Sequence, residues 1–428
     1  MKKYSLLLLA VFMVVALLGS MIVGCTPEEP PAPTPTPTQT PTTAPTTTPT
    51  TTPTTAPTTP PPPPYEWPDQ ITATAMGLGS SEYARYLAWA TEFEADTGTK
   101  LRVFPVENTQ TRYQYIKSGD STLASSGWNE WIAAFEADGM FATRLGGPLP
   151  IRATLTSTEL PFIAYTTADS DIMTYKDITE DTRLAIAPFL GLVVEINGKI
   201  LPAAAGIDPD KANIVSFGSY GAEALSVIEG TADIAVSVPA GSYTQQVASS
   251  ARGIRVIDMN FDAEAAARVA EVNPLYNFGP ATEGVEEAIG KNGLFVVGFY
   301  HTRAETDPDV VYNWVKWMIE NHATYAEKTV GFQFTTVERT LANLVKDPEP
   351  AHEGAVRYFK ELGLWTDAME KQNNAKIAII DAWVEGYAKA ITEADDKKIK
   401  IDPENQEWID LWHSYRDALP AIIVPPLG

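Results

Sequence analysis

Gly77, Gly79, Ser80 and Ser81 stand between a β-branched run, ITATA from Ile71, and a segment in which Tyr83, Tyr86, Leu87, Ala90 and Phe93 recur at helical spacing. A strand that feeds a glycine- and serine-rich turn at a helix N-terminus leaves backbone N–H groups without intrahelical partners. Those donors, with the serine hydroxyls, suit an anionic or hydroxylated group. An ordinary capped β–α turn, with Ser80 or Ser81 as the cap, uses the same residues. Glu82, Glu92 and Glu94 fall on the face expected to meet water, and Gly98 supplies the stop signal. Arg112 opens the next helical segment and is the candidate counter-charge, although a solvated surface arginine has the same sequence setting. Trp128, after the small residues ASSG, is placed to close a pocket or to fill a core.

Other chemistries lack their residues. His301, His322, His352 and His413 show no ligand-like spacing, so no metal site is expected, and His352-Glu353 lacks the second histidine of a zinc-protease helix. There is no G-x-S-x-G elbow or phosphate loop, and the single cysteine, Cys25, leaves no thiol nucleophile in the folded part. The reading is therefore of a chain that is not an enzyme and needs no cofactor. A formal net charge of −23 argues against nucleic acid or an anionic membrane surface as partner. It leaves room for a small anion, because a few arginines and helix N-termini dominate their own surroundings.

The elements that must position these residues alternate. KLRVFPVEN, STLASSG, PIRATLT, PFIAYTT, RLAIAP, ANIVSF, ADIAVSV and GIRVIDM read as strands. TRYQYIKSG, NEWIAAFEADG, VEINGKILPAAAG, YGAEALSVIEG, SYTQQVASSA and DAEAAARVAEV read as the helices between them. Such alternation specifies an α/β fold with mostly parallel sheets covered on both faces, which binds ligands at the C-terminal ends of its strands. Ile116-x-x-Gly119 followed by Ala124 is echoed by Val227-x-x-Gly230 followed by Ala235. Each is succeeded by a small-residue stretch, 124–128 or 237–243, which suggests two lobes of similar plan offering loops to a shared cleft. After Leu294 come a strand, a turn, and a helix with Val310, Val311, Trp314, Trp317 and Met318 on its inner face. Near the C-terminus, EWIDLWHSYRDALPAI predicts an amphipathic helix whose Trp408, Leu411, Trp412 and Tyr415 face the first lobe.

The chain begins with two lysines, an uncharged apolar run and the tetrad Ile22-Val23-Gly24-Cys25, the order of a secretory signal ending in a lipoprotein box that acylates Cys25. A plain membrane anchor has a similar composition. Residues 26–64 are almost wholly Thr and Pro, an extended and unfolded stalk that tethers the remainder outside the cytoplasmic membrane.

The order ITATAMGLGSSEY, IKSGDSTLASS, TYKDITEDTRLAIAP, the stretch from VSFGSYGAEALSVIEG to GIRVIDMN, FVVGFYHTRAETDPDVVYNWVKWMIEN and AHEGAVRYFKELGL resembles the TAXI-type solute receptors, extracytoplasmic binding subunits of TRAP transporters. The resemblance, which runs from Ile71 to about Tyr358, implies a type II periplasmic-binding-protein fold: two doubly wound lobes joined by a hinge, with the ligand cleft between them. It implies lobe 1 at 69–165 plus 275–390, lobe 2 at 166–274, and a helical extension at 391–428. Gly77, Gly79, Ser80, Ser81 and Tyr83 would line the cleft from lobe 1, and Phe189, Gly191, Phe217 and Tyr243 from lobe 2. The implied function is that of a monomeric, lipid-anchored receptor passing a small organic acid or amino acid to a TRAP-type permease. An ABC-type sulfonate or nitrate receptor, or a sensory ectodomain, fits the same scaffold. The family's polar second helix start is replaced here by Pro188-Phe189-Leu190, which points to a larger or more apolar acid.

Overall fold

Alternating β-branched and apolar residues place Gln70–Ala75 (β1), Lys100–Pro105 (β2) and Leu123–Gly127 (β3) side by side in the computed structural model, which describes residues 65–427 apart from 79, 275 and 330. The signal, Cys25 and the stalk lie outside the described residues, and among these no helix is long and apolar enough to cross a membrane. β1 pairs in parallel with β2 on one side and β3 on the other. Between them run α1 (Ser81–Thr97) and α2 (Thr109–Ser118), and β3 leads directly into α3 (Trp128–Phe135). α1 starts where Ser80 Oγ accepts the Tyr83 N–H at 3.1 Å, and stops at Gly98, whose φ of 75° only glycine adopts freely.

β4 (Ile151–Thr166) is one long strand, where PIRATLT and PFIAYTT read as two. Pro161 does not break it, because its partner Phe295 turns its N–H away to Asn277 O at 2.7 Å. The pair therefore lies at a position where the ladder needs no donor from Pro161. In the following half of the chain, Leu184–Ile186 (β5) and Ile214–Ser216 (β6) pair in parallel. Ala235–Ser237 (β7) and Arg255–Ile257 (β8) pair antiparallel with the end of β4. Phe278–Pro280 (β9) pairs with the start of β10 (Asn292–Arg303). β4 and β10 run antiparallel from Ile151↔Arg303 to Leu294↔Phe162, so the two strands carry both halves of the molecule. The fold is mixed α/β. Gly119 and Gly230 both close their helices with positive φ, 84° and 72°, so the repeated pattern yields the same local structure twice.

Separate cores hold the two halves. Trp89 and Phe93 of α1 meet Trp314 and Trp317 of the helix Pro308–Glu320. Here the helices between are α4 (Tyr220–Glu229), α5 (Ser242–Ala248) and α6 (Ala263–Val272), and α7 spans Pro308–Glu320. Leu184, Ile196, Ile234, Ile257 and Val269 form the second core. VEINGKI, expected as α-helix, is π-helical over Val194–Ile200 and continues as Leu201–Ala205.

Beyond the sheets lie α8 (Val337–Leu344), α9 (Glu353–Glu361), α10 (Asp367–Lys397) and α11 (Gln406–Arg416). The boundary expected at 391 falls inside α10, an unbroken helix whose Trp383 and Tyr387 share a core with Trp408 and Trp412 of α11. Trp408 and Trp412 of α11 donate their indole N–H groups to Ala142 O and Glu136 O at 2.8 and 2.9 Å.

Candidate functional site

A cavity of about 260 Å³ opens where the N-terminus of α1 faces the loop that follows β7. Ser80, Ser81 and Arg85 line it from α1, and residues 159–161 from β4. Arg339 of α8 and Phe334 complete that wall, with residues 238–242, Thr282 and Glu283 opposite. Both α1 and the 238–242 loop follow the C-terminal ends of strands, the place where open α/β sheets present ligands to loop donors. Pro161, Val238, Phe295 and Phe334 make much of the wall apolar.

Two arginines reach this cavity, and their circumstances differ. Arg339 is spent: it pairs with Glu159 at 2.7 Å and lies over the Phe334 ring, 5.4 Å from its centroid. Arg85 is 5% exposed, reaches Ser81 Oγ only at 3.4 Å, and buries its Nε without a hydrogen-bond partner. No carboxylate among the described residues lies within ion-pair distance of it. A buried guanidinium without an anion is costly, and an arriving carboxylate or sulfonate relieves that cost.

Arg112 does not serve as the counter-charge expected of it. It is 1% exposed and bonds to Glu130, with Glu82 3.5 Å away. Thr109 Oγ1 donates to Glu130 at 2.9 Å, and Ser126 donates to the other oxygen. Phe189 and Gly191 belong to this cluster rather than to the cavity wall: Phe189 O accepts the Thr109 N–H at 2.8 Å, and the Gly191 N–H reaches Thr109 Oγ1 at 3.4 Å. A side chain at Gly191 would meet Glu130 O at 3.1 Å, close enough that the facing backbone would have to give by a few tenths of an ångström.

Glu82, expected to face water, is buried, because the chain turns its carboxyl inward to accept the Met76 N–H at 3.0 Å. Burial lifts its pKa from 4.5 to about 7 against the pull of Arg112. The folded protein thus keeps a proton that the unfolded chain releases near pH 4.5, and the stability it contributes is lost as pH rises to about 7. Glu82→Gln should flatten this part of the stability–pH curve, whose slope from one such group is at most about 1.4 kcal/mol per pH unit. Urea unfolding of both proteins between pH 4.5 and 7.5 measures it, and parallel curves would count against the buried proton.

The remaining expected residues divide. Ser80 and Ser81 line the cavity. Gly77 supports the turn by accepting the Ser80 N–H at 2.9 Å, and the position of Gly79 lies outside the described residues. Tyr83 packs on the first core, and Phe217 on a further cluster that contains Tyr165, Val227 and Val256. Trp128 is 3% exposed and fills the core shared with α10 and α11 rather than lining this cavity. Tyr243 follows the lining Ser242, but its ring rests against Tyr220, with centroids 5.5 Å apart. Arg85, Glu159, Glu283 and Arg339 were not anticipated. Only Arg85 had a local signal: it stands four residues after Ser81, and helical side chains lean toward the N-terminus, which returns the guanidinium to the turn.

A model of the NMT1-like family matches residues 88–363. No curated protein matches the chain. Among solved structures, a periplasmic transporter is 10% identical, with 73% of this chain and 96% of that one covered and a TM-score of 0.43. The periplasmic binding protein BugD is 11% identical over 70% of this chain and 99% of its own, with a TM-score of 0.43. The aliphatic sulphonate binding protein SsuA from Escherichia coli is 13% identical over 83% and 90%, with a TM-score of 0.38.

Proposed function

As the chain belongs to the NMT1-like family, we propose that it is an extracytoplasmic solute receptor that captures a small organic anion in the cavity at α1 and delivers it to a membrane permease of the TRAP type. Arg85 is the observation that carries this reading: a buried cation on the cavity wall, with no carboxylate among the described residues within ion-pair distance, beside the hydroxyls of Ser80 and Ser81. The apolar remainder of the wall favours an acid with a hydrophobic body over a compact dicarboxylate. In the same reading Cys25 carries the lipid anchor and residues 26–64 the tether. In this reading the lobes divide at 69–165 plus 275–390 and 166–274, and the second core extends past those bounds to Ala164, Leu294 and Val296.

The test is native mass spectrometry of the protein purified from its source, followed by calorimetry against glutamate, 2-oxoglutarate, aromatic carboxylates and alkyl sulfonates. A retained or titratable anion, preferred when its body is apolar, is the expected result. Binding of neutral sugars or cations in place of any acid would overturn the proposal.

A further inference from the structure

Beyond the residues matched by the family, α10 reaches back to the cavity wall through α8. α8 is fastened to β4 by three side chains. Thr340 Oγ1 accepts the Thr156 N–H at 3.0 Å. Asn343 donates to Thr156 Oγ1 at 3.1 Å and to Glu159 Oε1 at 2.6 Å, and Arg339 pairs with Glu159 at 2.7 Å. These bonds fall where β4 and β10 change register, at Gly298/Phe299 and Phe299/His301, so this is where the ladder between the two long strands is least regular.

The last carbonyls of a helix have no partner within it and need a donor from elsewhere. In α8 the donor to Leu344 O is the ammonium of Lys376, a lysine of α10 that is 2% exposed. One turn earlier, Gln372 donates to Val345 O at 3.1 Å, and Asn373 accepts the Ala351 N–H at 2.7 Å. Burial depresses the Lys376 pKa to about 8, with Asp347 and Glu349 opposing the fall. Glu349 in turn lies 2.7 Å from Nδ1 of His301 on β10, whose Nε2 lies 2.7 Å from Ser126 O. The contacts thus hold α10 against the end of α8 through Lys376 and Gln372 and against residue 351 through Asn373, while Glu349 lies against β10.

We infer that Lys376 is a positioning residue of the cavity: from a segment outside the family match, it holds the end of α8, and α8 holds Glu159 and the irregular part of β4. Its bearing on ligand capture rests on the function proposed above, but its test needs no ligand. In hydrogen exchange on the full chain, Lys376→Met should speed exchange at least tenfold in Val337–Leu344 and around Thr156, while Ser81–Thr97 keeps wild-type protection. Lys376→Arg, which keeps a donor, should restore most of the protection. Unchanged exchange in α8, or a uniform loss across the molecule, would overturn the inference. If Lys376→Met does not fold, Lys376→Met combined with Asp347→Asn removes one charge of each sign. Loss of protection in α8 should persist in that protein, because Leu344 O still lacks its donor, and a protected α8 there would also overturn it. Failure of every acid to bind would refute the proposed function and leave these exchange results standing.

Discussion

Arg112→Met should cost about 3–5 kcal/mol of folding stability, the loss that follows when one partner is removed from a buried ionic group. Arg112 is the cation of a cluster that contains Glu130 and Glu82, both less than a tenth exposed. Methionine fills part of the volume but leaves two carboxylates facing each other in a medium that screens them poorly. The loss should be larger at pH 8 than at pH 5. Glu82 already holds its proton to about pH 7, and without Arg112 it should hold it higher still, so acidification neutralises the charge that the variant leaves unpaired. Urea denaturation at the two pH values gives the comparison. A loss below about 1 kcal/mol, accompanied by loss of anion binding, would return Arg112 to the role of ligand counter-charge.

Arg85→Met should behave in the opposite way. It removes a charge-assisted hydrogen bond to the ligand, worth about 1.5–3 kcal/mol, or roughly ten- to more than a hundredfold in affinity. Stability should hold or rise, because the guanidinium is buried with no carboxylate among the described residues within ion-pair distance, and methionine carries no charge to desolvate. Calorimetry with whichever acid the wild type binds, beside a thermal unfolding scan, separates the two effects. Undiminished affinity in Arg85→Met would remove Arg85 from the site, and a large fall in unfolding temperature would mark it as structural.

The contrast between these arginines shows how the site divides into what was legible and what was not. The turn before α1 was legible in detail: Ser80 caps the helix, Gly98 ends it, and Ser80 and Ser81 face the cavity. Arg85 was within reach of the same reasoning, since its position relative to Ser81 depends only on helical geometry. The wall contributed by Glu159, Glu283 and Arg339 was not, because these residues come from segments far apart in the chain whose meeting depends on how β4 and α8 pack. Phe189 and Gly191, expected to line the cleft, instead have their backbones engaged by Thr109.

The sequence by itself determined what acts over a few residues: the alternation of strands and helices, the caps, the glycines with positive φ that end α1, α2 and α4, and the amphipathic face of α11. Propensity, periodicity and capping are local, so they survive being read without partners. The tertiary structure alone decided that PIRATLT and PFIAYTT join into one strand, that Glu82 turns inward, and that α10 is a single long helix bound through Lys376 to the end of α8. It also decided which arginine is free. A guanidinium binds whichever carboxylate the fold brings within about 4 Å; the chain folds Glu130 and Glu82 onto Arg112, and brings none to Arg85 among the described residues.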